Sequence, residues 1–115
     1  MLIRYKKSYE KIAMGLLSFV PTEKDLKKLR QTMKRYDEEN DWQLFLWREE
    51  DIIGIIGVKL EGNRAEIHHV SVNPSYRGQG VGKKMVDSLH RIIGEKYTII
   101  PAKQVSDFYE SCIKK

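Results

Sequence analysis

A chain of 115 residues, 41% of them hydrophobic, is expected to fold as one domain, residues 1–115, around a single core. Its net charge of +5 admits a nucleic acid, a membrane surface or a polyanionic small ligand as partner and does not choose among them. The lone Cys112 excludes an internal disulfide, no apolar run is long enough to span a bilayer, and the N-terminus has no signal-peptide core, so a cytoplasmic protein with no membrane partner is expected.

In chain order, residues 2–5 form a short strand candidate. From Ser8 onward Ile12, Leu16, Phe19 and Val20 recur at helical spacing, with Ala13 and Leu17 alongside, until Pro21 stops the pattern. Thr22 is the expected N-cap of a second helix, with Asp25 three residues on and Leu26, Leu29, Met33 and Tyr36 as its apolar stripe. Lys24, Lys27, Lys28, Arg30, Lys34 and Arg35 interleave with that stripe and read as a solvated face. The acidic run 37–41 reads as a loop.

Residues 43–48 and 52–60 are β-prone and separated by Glu49, Glu50 and Asp51, the pattern of a hairpin. A turn at 61–64 then leads into a strand over 65–73, completing an antiparallel meander of three. Gly54 and Gly57 inside the middle strand read either as close approach of a backbone or another element or, equally, as simple weak spots in the strand. Strict alternation would separate Ile67 from Val70 and Val72, whereas a β-bulge near His68 and His69 would bring all three onto one face.

The strand ends in Val72-Asn73-Pro74-Ser75-Tyr76-Arg77 and passes into Gly78-Gln79-Gly80-Val81-Gly82 and a helical stripe of Val81, Met85, Leu89, Ile92 and Ile93. Alternate glycines opening a helix leave backbone N–H groups free to bind an anion, and a phosphate is the expected ligand. A dinucleotide fingerprint is excluded because Lys83 stands where its third glycine belongs. A P-loop is excluded because Arg77 stands at its first glycine and Lys84 at its Ser/Thr. Residues 97–100, ending at Pro101, form a strand parallel to the third meander strand, and a last helix covers 104–113.

Arg77-x-x-Gly80-x-Gly82 after Val-x-Pro-x-Tyr-Arg resembles the pyrophosphate loop of the GNAT superfamily, the acyl-CoA-dependent N-acetyltransferases. The order of elements agrees with it over nearly the whole chain. Within the superfamily, the opening Ile3-Arg4-Tyr5-Lys6-Lys7 and Ser71-Val72-Asn73-Pro74 resemble the RibT group of riboflavin operons, which implies a link to riboflavin biosynthesis. The implied fold is α/β with a mixed sheet, truncated at the C-terminal hairpin. A second copy of the chain could supply the missing edge as a homodimer.

The resemblance implies acetyl-CoA as acyl donor and a primary amine, on a small molecule or a protein, as acceptor. The main chain of Val70 and Val72 would pair with the pantetheine arm. The loop of Gly78, Gln79, Gly80, Val81, Gly82 and Lys83 would wrap the pyrophosphate, with Arg77 or Lys83 adding charge. Any side chain at Gly80 or Gly82 would push the phosphate away. Phe108-Tyr109-Glu110 matches the family's last-helix string and makes Tyr109 the expected acid for the departing thiolate. Glu66 on the central strand is the expected base, with His68 or His69 as alternatives.

Adjacent His68 and His69 point apart in a regular strand and have no third ligand nearby, so no metal is expected. Cys112 reads as packed. A nucleic-acid partner would rest on charge alone, without clustered aromatic and basic residues. The family's last-helix asparagine is Ala102 here, and its closing Gly-Phe is Ile113-Lys114. These departures keep open a non-catalytic acyl-CoA-binding or regulatory protein.

Overall fold

The computed structural model describes residues 1–113. Five strands, β1 (Leu2–Arg4), β2 (Trp42–Arg48), β3 (Ile52–Glu61), β4 (Arg64–Val72) and β5 (Thr98–Pro101), form one sheet in sequence order. The first four are antiparallel neighbours, and β5 runs parallel to β4. Helices α1 (Glu10–Leu17) and α2 (Leu26–Glu38) precede β2, α3 (Val81–Ile93) crosses from β4 to β5, and α4 (Ser106–Ile113) follows β5.

Period-two alternation gives the sheet two apolar faces. Phe45, Trp47, Ile56, Val58 and Ile67 pack with Val81, Met85, Val86 and Leu89 of α3 and with Tyr109 and Cys112 of α4. Leu44, Leu46 and Ile55 pack on the other face with Ala13, Leu16 and Leu17 of α1 and Leu29, Met33 and Tyr36 of α2. Each fully buried aliphatic side chain contributes about 1.5–3 kcal/mol relative to an exposed one, so the sheet with its two covered faces dominates the stability. No helix among the described residues is long and apolar enough to cross a membrane.

Several expectations need correction at element ends. Asp25, not Thr22, caps α2: its carboxylate accepts from the Lys27 N–H at 3.3 Å, while the Thr22 hydroxyl donates to Glu23. The acidic stretch after Tyr36 begins inside α2, which continues to Glu38. Of the expected stripe residues, Ile12, Phe19, Leu26 and Ile92 are exposed, Phe19 lying beyond the end of α1 and Leu26 on the first turn of α2.

The glycines of β3 follow the close-approach reading. A Cβ on Gly54 would lie 2.9 Å from the Met85 sulfur, and one on Gly57 would collide with the Tyr36 hydroxyl. The bulge is present as well: Gly57 pairs with His69 and Val58 with Ile67, which leaves His68 as the extra residue of β4. Val70 and Val72 consequently join Ile67 on the α3 face.

Candidate active site

The parallel pairing of β5 with β4 ends at Ile67–Pro101. The Ala102 N–H still donates to the Ile67 carbonyl at 2.9 Å, and the Gln104 side chain donates to the His68 carbonyl at 3.3 Å. Beyond them the two strands part. Successive residues of a strand present their N–H and C=O to opposite sides, and the Asn73 N–H bonds to Ile53 of β3 at 2.8 Å. Val72 and Val70 therefore direct their backbone groups into the gap. On the far rim the Arg77 side chain donates to the Val72 carbonyl at 3.4 Å.

The gap opens into a cleft of about 540 Å³ whose walls include Val70, Ser71, Val72, Arg77, Gly78, Gly80, Val81, Gly82, Gln104 and Phe108, with Phe19 to Thr22 on the α1 side. At its end Gly78 and Gly80 adopt φ of 81° and 77°, a region costly for any other residue, and Gly80 is the N-cap of α3. The first intrahelical bond here runs from the Lys84 N–H to Gly80. The N–H groups of the three preceding residues stand at the positive end of a thirteen-residue helix, an arrangement that favours negative charge.

Gly82 lies on the cleft wall and has a packing reason besides the expected one. Its missing Cβ makes room for the Phe108 ring, 2.5 Å from where that atom would be, so it serves the α3–α4 contact. Gln79 and Lys83 are not on the cleft wall, and the Lys83 ammonium lies along α3 at 3.1 Å from Asp87. Arg77 lies on the wall, its guanidinium 6.0 Å from the centre of the Phe19 ring. Ser71, to which the sequence assigned no role in the site, is on the wall and its buried hydroxyl has no partner among the described residues.

A second cavity, about 480 Å³, shares Thr22 and Gln104 with the cleft and lies on the α2 side of β4. It brings together Glu66, His68 and His69. His68 Nε2 is 2.7 Å from Glu66, and the pair is half-buried. His69 is buried between Tyr36, whose hydroxyl is 2.6 Å from Nδ1, and Glu23, whose carboxylate is 3.5 Å from Nε2. Burial pushes the His69 pKa down to about 4 against the pull of Glu23, so the ring is neutral near pH 7. An Nε2–H tautomer then donates to Glu23, and Nδ1 accepts from Tyr36, whose hydroxyl burial keeps protonated.

Glu23, only 1% exposed, also accepts from the hydroxyls of Thr22 and Thr32. Sequence reasoning missed it: a glutamate between Thr22 and a lysine reads as surface, and no periodicity marks the turn between the helices.

Tyr109 is placed apart from both cavities. Its hydroxyl is 3.0 Å from His90 Nε2, its ring lies in the core between α3 and α4, and burial raises its pKa. The residue that this turn of α4 presents to the cleft is Phe108. Cys112 is buried in the same core, which raises its thiol pKa. Of the closing pair of the last-helix motif, Lys114 lies outside the described residues.

Comparison with known proteins agrees with this geometry. The acetyltransferase (GNAT) family model matches residues 11–109. An uncharacterized N-acetyltransferase in the lysA 3′ region of Bacillus methanolicus is 61% identical over 114 residues, covering 97% of this chain and 94% of its own. The structure of AAC(6′)-Iy in complex with the bisubstrate analogue CoA-S-monomethyl-acetylneamine superposes with a TM-score of 0.78 at 11% identity, covering 100% of this chain and 90% of that one. A possible acetyltransferase from Clostridium difficile gives 0.77 at 14% identity, covering 96% and 87%. With a strand that parts from its parallel neighbour, a glycine turn at a helix N-terminus and a family match over most of its length, the chain belongs to the GNAT family of acetyltransferases.

Proposed function

We propose that this protein binds acetyl-CoA in the cleft between β4 and β5 and transfers the acetyl group to a primary amine by direct attack, with no acyl-enzyme intermediate. The observation that carries the reading is the backbone of Val70, beyond the last β5 pairing and on the same cleft wall as the start of α3. A pantetheine arm offers amides that such a strand edge can pair with, and the pyrophosphate suits the helix terminus. Gly78, Gly80 and Val81 would hold the phosphates, with Arg77 as the nearby cation.

The acceptor would enter through the second cavity, which meets the cleft at Thr22 and Gln104. Amine attack on a thioester requires loss of an ammonium proton. Glu66 and His68 form the proposed base: the carboxylate holds the imidazole, and either atom can take the proton directly or through water. For the departing thiolate, Tyr109 as donor would require its hydroxyl to exchange His90 for the sulfur.

That orientation of Tyr109 favours a second reading, an acyl-CoA-binding or regulatory protein without turnover. The riboflavin link rests on the likeness of residues 3–7 and 71–74 to the RibT group and would make the acceptor an amine of riboflavin metabolism. The proposed compartment is the cytoplasm, consistent with a thiol at Cys112. The homodimer is proposed on the strand-edge argument, with sedimentation as its check.

The deciding experiment is calorimetric titration with acetyl-CoA of the wild type and of Gly80→Glu, followed by thiol release with an amine panel. One-site binding lost in the variant, with thiol release that falls in Glu66→Gln and His68→Gln, supports the enzyme. Binding without release from any amine supports the second reading, and no binding overturns both.

A further inference from the structure

The second cavity carries a charge arrangement that a simple amine does not use. Lys28, Thr32 and Arg35 stand on one face of α2 and line it, and Lys59 of β3 lines it from the sheet. Arg35 and Lys59 flank the buried Trp42, the guanidinium 5.3 Å and the ammonium 5.7 Å from the ring centre. Three carboxylates also line the cavity, Glu23, Glu61 and Glu66. Two of them are engaged: Glu23 by Thr22, Thr32 and His69, and Glu66 by His68.

Among the described residues none of Lys28, Arg35 and Lys59 makes an ion pair within 4 Å, although Glu38, Glu39, Asp41 and Glu61 are close to them in sequence or on the hairpin. Lys59 stands directly opposite Glu66 in the strand register and still leans over Trp42 instead of pairing with it. Cations stacked on an aromatic ring keep their hydrogen-bonding groups free for an incoming acceptor.

The geometry points to an acceptor that carries an anionic group, a carboxylate or a phosphate, on the same molecule as its primary amine. This rests on the acetyltransferase reading of the site. The amine would lie beside Glu66, His68 and Gln104, next to the cleft. The anionic group would lie close by at Arg35 and Lys59, across the Trp42 ring that His68 also faces at 4.9 Å between centres, so a short molecule can reach both, and charge-assisted hydrogen bonds there aim the amine at the thioester. A neutral amine of the same length lacks that second anchor, and a dicationic amine is repelled there.

The test is calorimetric titration of the CoA-loaded protein with three short primary amines: ethanolamine, β-alanine and O-phosphoethanolamine. The expected result is binding of β-alanine or O-phosphoethanolamine at least about tenfold tighter than ethanolamine, with the advantage shrinking as salt rises. The better of the two identifies the anion. Arg35→Gln/Lys59→Gln is expected to erase the preference while CoA affinity and the melting temperature stay near wild type, because Arg35 is exposed, Lys59 is only half-buried and neither lines the cleft. Equal affinity for all three amines, no binding of any, or a preference that survives in the double variant overturns the inference. If that variant unfolds, Arg35→Gln alone serves in its place with the same expected direction. Loss of CoA binding itself would be the failure of the acetyltransferase reading and is seen separately in the loading step.

Discussion

The Tyr36 hydroxyl lies 2.6 Å from His69 Nδ1 and occupies the space that any side chain at Gly57 would need. One phenol thus joins α2 to the bulged strand, and the absence of a Cβ on the neighbouring strand lets it through. Gly57→Ala should therefore destabilise the protein by about 2 kcal/mol or more, since neither the Tyr36 ring nor the sheet backbone can yield cheaply. Denaturant titration measures it, and Gly57→Ala/Tyr36→Phe, which removes the colliding oxygen, should recover part of the loss. Equal stability of wild type and Gly57→Ala would show that the phenol is not held there.

The buried imidazole makes stability depend on pH. His69 titrates near pH 4 in the folded chain and near its ordinary value of about 6.5 when unfolded, so between those values the unfolded state binds more protons. Stability is present in full above about pH 6.5 and is lost as the pH falls toward about 4, by on the order of 3 kcal/mol from this group at most. His69→Gln should flatten that part of the profile, and an unchanged slope would place the proton uptake elsewhere.

Tyr109→Phe separates packing from chemistry. The variant loses the bond to His90 and should be less stable by about 1 kcal/mol. With the hydroxyl facing α3, thiol release at saturating acetyl-CoA should change less than about twofold. A fall of tenfold or more would mean that the tyrosine turns toward the sulfur during turnover and does supply the proton.

Gly82→Ala should act through Phe108. The added methyl meets that ring, which must tilt into the cleft or push α4 away. Weaker acetyl-CoA binding together with a lower melting temperature is expected. Phe108→Leu in the same chain should restore binding, and unchanged binding in Gly82→Ala alone would dissociate the ring from the cleft.

Features governed by local backbone chemistry were legible before the structure. The bulge followed from the phase of Ile67, Val70 and Val72, the tight turn into α3 from alternate glycines, and the close approaches at Gly54 and Gly57 were one of the two readings that glycines in an apolar strand allow. What was not legible depends on which surfaces meet. Nothing local distinguishes Glu23, buried beneath two threonines, from an ordinary surface glutamate. Lys28 and Arg35 share the spacing of any solvated helix face, and only the position of Lys59 across the sheet makes them part of a cavity wall. The second demand on Gly82, room for the Phe108 ring, was not legible, because that ring comes from a helix that the sequence alone does not dock.

The extra residue in β4 separates two kinds of change. The proposed donor contacts rest on main-chain atoms of β4 and on the glycines that open α3, which have almost no alternatives, while the second cavity is written in side chains from α2, the hairpin and one face of β4. Substitutions at Lys28, Arg35, Lys59 or Glu61 can reshape what enters that cavity without touching a glycine of the donor loop. A single deletion in β4 cannot: it would remove the phase shift at His68, exchange His69 and Ser71 with Val70 and Val72 across the sheet, and ruin both halves at once. Variation among related chains should accordingly run to substitutions around the second cavity and avoid length changes in this strand.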